Sequence, residues 1–138
     1  SGKTKKVAEV IAHELRCDAV FIDDATKYDM NTYNLIIIGS PVHSGIPTKK
    51  IKQFLSRAKP TKYSAVFVTY GAPGFGPLAA KICLNYMEGK LGDTSIGRFK
   101  CHGFHNILKT YPDHPNADDA KEAISFASEL EKKCLARF

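Results

Sequence analysis

The order of apolar and polar residues predicts helices alternating with short strands. Residues 4–16 carry apolar side chains three and four positions apart and predict a first helix, with Thr4 as its candidate N-cap. The apolar run Ala19–Ile22, ended by two aspartates, predicts a strand, as does Leu35–Gly39, whose three consecutive isoleucines suit a strand buried on both faces. Pro47 then opens a second helix, with Ile51, Phe54 and Leu55 on its apolar side.

The second half of the chain repeats this alternation. Residues 64–70 predict a strand, residues 71–77 a glycine-rich loop, and residues 96–103 a last strand. A helix ending near Gly89 is predicted to bury Leu78, Ala79, Ile82 and Tyr86. The final helix, over 117–135, is predicted to bury Ala120, Ala123, Ile124, Ala127 and Leu130. The histidines at 102, 105 and 114 fall in or beside a predicted surface loop. The alternation predicts a doubly wound α/β fold, a parallel sheet with helices on both faces, as one domain over 1–138.

Composition narrows the class of protein. The chain has 138 residues, 43% of them hydrophobic, and no apolar run long enough for a membrane helix, so we expect a cytoplasmic domain without a membrane partner. The four cysteines lack Cys-x-x-Cys spacing, so no metal site is expected. The net charge is +6, but the basic residues are scattered and accompany no nucleic-acid motif. We therefore expect acidic protein partners and no nucleic acid.

Three segments carry the candidate chemistry, because ligands of open parallel sheets bind outside the carboxyl ends of the strands. Ser1, Gly2, Lys3 and Thr4 directly precede the first helix, where backbone amides and hydroxyls can hold a phosphate. The loop 39–47 combines two prolines with accessible glycine and serine backbone, which suits the edge of a planar ring. The loop 69–76 offers three glycines and two aromatic residues for the same ring.

These segments resemble those of the flavodoxin family. Ser1-Gly2-Lys3-Thr4 resembles the end of its phosphate loop, Ser40-Pro41-Val42-His43-Ser44-Gly45-Ile46-Pro47 its second flavin loop, and Phe67-Val68-Thr69-Tyr70-Gly71 the start of its third. The resemblance implies bound FMN and transfer of one or two electrons between redox partner proteins. It assigns the phosphate to Ser1, Gly2, Lys3 and Thr4. The flavin ring is assigned to Pro41, Val42, His43, Ser44, Gly45, Thr69, Tyr70, Gly71, Ala72 and Phe75, with the Ser44–Gly45 peptides near flavin N5.

The resemblance also raises an expectation about the sheet. The family's first strand is central, yet this sequence begins inside the phosphate loop. Leaving its neighbours unpaired would cost about 1–3 kcal/mol for each buried polar group. We therefore expect roughly ten further residues, forming that strand, to precede Ser1. From the basic charge we also expect a less negative potential for the fully reduced flavin than in acidic flavodoxins, and salt-sensitive binding of acidic partners.

Three other functions stay open at this level. An FMN-dependent NAD(P)H or quinone reductase would use the same loops. Gly2-Lys3-Thr4 before a helix also matches the end of a nucleotide-binding P-loop, although an aspartate for magnesium does not follow the Leu35–Ile38 run. A third alternative is a binding module that keeps the fold without the cofactor.

Overall fold

The chain folds as helices packed on both faces of a parallel sheet. The structure is a computed structural model, and it describes residues 2–60, 62–71, 75–103 and 114–136. Its described α-helices and strands are α1 (Lys3–Leu15), β1 (Leu35–Pro41), α2 (Lys49–Arg57), β2 (Tyr63–Tyr70), α3 (Gly76–Leu91), β3 (Ser95–His102) and α4 (Ala117–Ala136). The described strands pair in parallel in the order β1-β2-β3. This confirms the predicted α/β class.

The central strand β2 explains why the sheet needs helices on both sides. Every residue from Ser64 to Tyr70 is buried, so both faces of this strand are covered. Val66 and Val68 belong to the core beneath α2 and α3, whereas Phe67 belongs to the core beneath α1 and α4. The alternation of side chains along one strand therefore divides the core into two layers.

The predicted strand at Ala19–Ile22 is wrong. Residues 19–21 have no regular structure, Val20 and Phe21 are 40% and 60% exposed, and the chain continues as a 3₁₀ helix over Ile22–Lys27. A strand requires a neighbour for its backbone hydrogen bonds, and within the described residues none pairs with this run. Ile22 instead packs against the core beneath α2 and α3.

The buried face of α3 also differs from the prediction. Its buried residues are Gly76, Ala80, Cys83, Leu84, Met87 and Leu91, whereas Leu78 and Ile82 are 54% and 49% exposed. Because α3 is apolar on more than one side, spacing alone does not say which side faces the sheet; packing against β2 decides it.

In α4 the prediction is partly correct. Ala123, Ala127 and Leu130 are buried as expected, but Ile124 is 40% exposed and Asp119 is buried. Ile124 lines an open groove of about 470 Å³ between α1 and α4, so its side chain lies at the edge of the helix contact. Asp119 is buried because it hydrogen-bonds at the start of the helix.

Candidate functional site

The three predicted segments meet at one residue, Thr69, near the carboxyl end of β2. Its side-chain hydroxyl lies 2.8 Å from the Thr4 hydroxyl at the start of α1, and its carbonyl oxygen accepts a hydrogen bond of 2.9 Å from the Val42 amide. Thr69 is 4% exposed, so both contacts are shielded from water. The first and second segments are therefore each attached to the third at a single position of the sheet edge.

The first segment provides a helix N-terminus suited to an anion. Gly2 is the N-cap of α1 and, as a glycine, supplies no capping side chain. The prediction of Thr4 as N-cap is wrong, because its hydroxyl is directed to Thr69. The first turn contains Lys3, Lys5 and Lys6 and no acidic residue, so its charges add to the positive end of the helix dipole. Ser1, assigned to the same phosphate, lies outside the described residues.

A buried hydroxyl fixes the two ends of the second loop. Ser40, which is fully buried in β1, donates a hydrogen bond of 2.8 Å to the Pro41 carbonyl and accepts one of 3.2 Å from the Thr48 amide. Thr48 in turn caps α2 by accepting a hydrogen bond from the Ile51 amide. The loop from Pro41 to Pro47 thus starts and ends at fixed points. Ser40 was not among the predicted site residues, although its place directly after a buried strand was a usable signal.

The tip of the second loop is a tight two-residue turn. The His43 and Ile46 backbones exchange hydrogen bonds of 2.8 and 3.1 Å around Ser44 and Gly45. These two residues have φ angles of 52° and 82°, as in a type I′ turn, which favours glycine at the second position. The peptide between Ser44 and Gly45 takes no part in the turn's own bonds. His43 and Ser44 are exposed, so their side chains are accessible to a ligand, whereas Gly45 is buried.

The third segment leads from the buried sheet to the surface. Tyr70 is 9% exposed and its carbonyl oxygen accepts a hydrogen bond of 2.8 Å from the Gly103 amide, which joins the ends of β2 and β3. Gly71 is half-buried, and Phe75, at the start of α3, is 82% exposed. Gly103 was missed in the sequence, where nothing connects it to Tyr70. Ala72 lies outside the described residues.

A histidine pair lies beside Tyr70. The ring of His102, the last residue of β3, is 4.6 Å from the Tyr70 ring and 5.2 Å from the His114 ring, measured between centroids. His114 Nδ1 is 2.6 Å from a carboxylate oxygen of Asp119, which also accepts a hydrogen bond of 2.9 Å from the Asn116 amide. His102 therefore lies in β3 and not in a loop, whereas His114 lies outside regular structure before α4, as predicted, and both are partly buried. His105 lies outside the described residues.

Burial changes the acidity of groups near this edge. The pKa of His102 is lowered, first by burial and then by His114, while Asp119 and Glu122 oppose the shift. Burial raises the pKa of the Cys101 thiol to about 12, with Asp119 and Glu122 adding to the effect. His102 is therefore neutral and Cys101 an unreactive thiol at pH 7. Among the described residues, no group of three His, Cys, Asp or Glu side chains is placed to hold a metal ion.

The fold and the three converging loops define a parallel α/β protein with a candidate anion-and-ring site at the carboxyl edge of its sheet. The flavodoxin domain family matches residues 1–91, about two thirds of the chain. The chain belongs to this family.

Two known proteins are similar to this chain. An uncharacterized protein of Methanocaldococcus jannaschii is 34% identical over 136 residues, which cover 94% of this chain and 90% of that protein. A flavoprotein from Lactobacillus acidophilus, whose crystal structure was solved in complex with FMN, is 30% identical, with a TM-score of 0.54 over 72% of this chain and 86% of that one. Within the described residues, no helix has the length and apolar character needed to cross a membrane.

Proposed function

We propose that this chain binds FMN at the carboxyl edge of its sheet and carries electrons between redox proteins. The observation that carries the proposal is the convergence of the three segments on Thr69, which attaches the start of α1 and the start of the second loop to the end of β2. Membership of the flavodoxin domain family and similarity to an FMN-bound flavoprotein support the same ligand. Both favour FMN over the nucleotide-triphosphate interpretation of Gly2-Lys3-Thr4.

The start of α1 is the part of the site that fits the FMN phosphate. Its N-cap is a glycine, which supplies no capping side chain, and Lys3, Lys5 and Lys6 make the surrounding potential positive. The bond between Thr4 and Thr69 fixes this helix end relative to the sheet. In this proposal the phosphate takes the place of a capping side chain, which explains why the helix begins at a glycine.

The second and third loops fit the flavin ring. The rigid turn at Ser44 and Gly45 presents a peptide group for the ring edge, and His43 is exposed beside it. In this proposal Tyr70 and Gly71 of the third loop also border the ring. When bound, FMN supplies the redox chemistry, and the protein residues hold, orient and shield it.

The charge of the chain supports acidic partners. With a net charge of +6, the protein attracts negatively charged proteins and repels copies of itself. Positive surroundings also stabilise a negatively charged reduced flavin, so we expect a less negative potential for full reduction than in acidic flavodoxins.

The test is a titration of the flavin-free protein with FMN and, separately, with riboflavin, followed by flavin fluorescence. If α1 binds the phosphate, riboflavin binds at least about 100-fold more weakly, since charge-assisted hydrogen bonds contribute about 1.5–3 kcal/mol each. Equal affinity for the two ligands would refute the phosphate site. No binding of FMN at all would refute the cofactor.

A second measurement separates an electron carrier from an enzyme. The FMN-loaded protein is mixed with NADPH or NADH, with and without a soluble quinone. A carrier exchanges electrons with redox proteins but shows no steady-state NAD(P)H oxidation. Sustained turnover with the quinone would instead identify an FMN-dependent reductase.

A further inference from the structure

Four apolar side chains are exposed beside the second and third loops. Ile46, Phe75, Leu78 and Ile82 have exposed fractions of 40%, 82%, 54% and 49%. We call these four residues the apolar patch. Leu78 and Ile82 are the residues of α3 that were expected to be buried, so water-exposed apolar surface here is a property of the fold that the sequence pattern did not predict.

The apolar patch is continuous. Phe75, Leu78 and Ile82 are three and four positions apart at the start of α3 and share one side of the helix. Gly45 lies directly against this side, because a Cβ built on it would be 3.6 Å from Ile82 Cγ2. Ile46 follows Gly45 in the turn, so the patch joins the second loop to α3. Contiguous exposed apolar surface of this kind is typical of interaction sites.

The surroundings of the patch are basic. Helix α2, which begins three residues after Ile46, contains Lys49, Lys50, Lys52 and Arg57 and no acidic residue. Lys50 is paired with Asp23 at 2.7 Å, and Lys49, three positions after Ile46 in the sequence, is exposed. The segment 76–87 of α3 adds the exposed Lys81 and has no acidic residue either.

We propose that the apolar patch docks an acidic redox protein through an apolar centre and a rim of carboxylates. The role of this partner rests on the proposed function, because the patch is built on the same loops that would hold FMN. The charge around the patch favours an acidic partner, whose carboxylates pair with Lys49 and Lys81. A second copy of this chain is disfavoured, because the lysines around two apolar patches would repel each other. The patch thus supplies the contact area and the lysines supply the orientation.

The test titrates the ¹⁵N-labelled full chain, free of FMN, with a [2Fe–2S] ferredoxin of net negative charge. Amide shift changes are expected at the apolar patch, with affinity falling as salt rises. The double variant with Leu78→Ser and Ile82→Ser is expected to bind about 30-fold more weakly, since each half-exposed side chain loses part of its burial. The matched control is Leu135→Ser in α4, where the side chain is 67% exposed, and its affinity is expected to equal that of the wild type.

Each other outcome overturns the docking proposal. In the NMR titration, these outcomes are the absence of any binding to the ferredoxin and amide shift changes confined to α1 and α4. For the variants, the outcome is equal affinity of the double variant and the control for the ferredoxin. In sedimentation experiments, it is dimerisation of the chain through the apolar patch. FMN titrations of the same variants keep the two proposals apart. Normal FMN binding without ferredoxin docking refutes only the proposal that the apolar patch is a docking site. Docking without FMN binding refutes only the proposal that the chain binds FMN.

Discussion

The pairing of Gly39 with Phe67 makes the strongest quantitative prediction. These residues are opposite each other in the β1–β2 ladder, and a Cβ at Gly39 would overlap the tip of the Phe67 ring. Phe67 is 2% exposed and packs in the core beneath α1 and α4, so its ring can move away only by displacing neighbouring core side chains. Glycine is therefore required here by packing, without any unusual φ angle.

The expected cost of Gly39→Ala follows from two opposing terms. Overpacking a core by one methyl group costs about 1–3 kcal/mol. Replacing a strand glycine by alanine stabilises the folded state by about 0.5–1 kcal/mol, because the unfolded chain loses conformational entropy. The midpoints of the two ranges leave a net loss in free energy of unfolding of about 1.3 kcal/mol. In a Phe67→Leu background the ring tip is gone and the same change is expected to stabilise by about 0.5 kcal/mol, a coupling of about 2 kcal/mol.

The assay is urea denaturation of the four proteins of this cycle, followed by circular dichroism. With a slope of about 1.3 kcal/mol/M, Gly39→Ala alone lowers the urea midpoint by about 1 M. The control is Gly89→Ala, because a Cβ at that exposed helical position meets nothing within 4 Å; it is expected to raise the midpoint. An equal cost of Gly39→Ala in both backgrounds would show that Phe67 is not the reason for the glycine.

Three further predictions concern the site and its surroundings. Thr4→Val and Thr69→Val are expected to show a coupling of about 1 kcal/mol in unfolding experiments without FMN, since each removes the same hydrogen bond; additive effects would contradict the contact. Because the folded pKa of His102 lies below its ordinary 6.5, the folded state binds fewer protons, and its contribution to stability is lost as the pH falls below 6.5. His102→Gln should flatten the stability–pH curve in that range, as measured by thermal unfolding, and an unchanged curve would disprove the assignment. Of the four cysteines only the exposed Cys17 is expected to react with a thiol reagent in the native protein, slowly because burial and a neighbouring aspartate raise its pKa. Cys17→Ser should abolish this reaction, and fast labelling of a second thiol would contradict the buried positions of the others.

Local patterns were sufficient for most of the helices and strands. The apolar runs of β1 and β2 were long enough to predict two strands, and the glycine- and proline-rich loops after them marked the candidate site. The prediction that β1 is buried on both faces was wrong, because only Ile38 and Ser40 of this strand are buried. The partners of those loops could not be predicted in the same way. Thr4 was a reasonable N-cap by sequence, but its hydroxyl contacts Thr69, 65 positions away.

The predictions from the sequence were wrong where the same apolar pattern fits more than one local structure or more than one buried helix side. Leu78 and Ile82 fit a buried helical side as well as Ala80 and Leu84 do, and only the contact of α3 with β2 selects between them. The run Ala19–Ile22 has the composition of a strand, but among the described residues no neighbour offers it backbone hydrogen bonds. The histidine pair was missed because His102, His114 and Asp119 come together only when β3 and α4 are packed.

The sequence by itself determined the α/β class, the parallel strands and the loops that carry the candidate ligand contacts, because spacing and glycine or proline content act over a few residues. Tertiary structure decided which loops meet, which side of α3 faces water and which hydroxyls are paired. These depend on contacts between residues far apart in the chain, where the free energy of packing outweighs local preference.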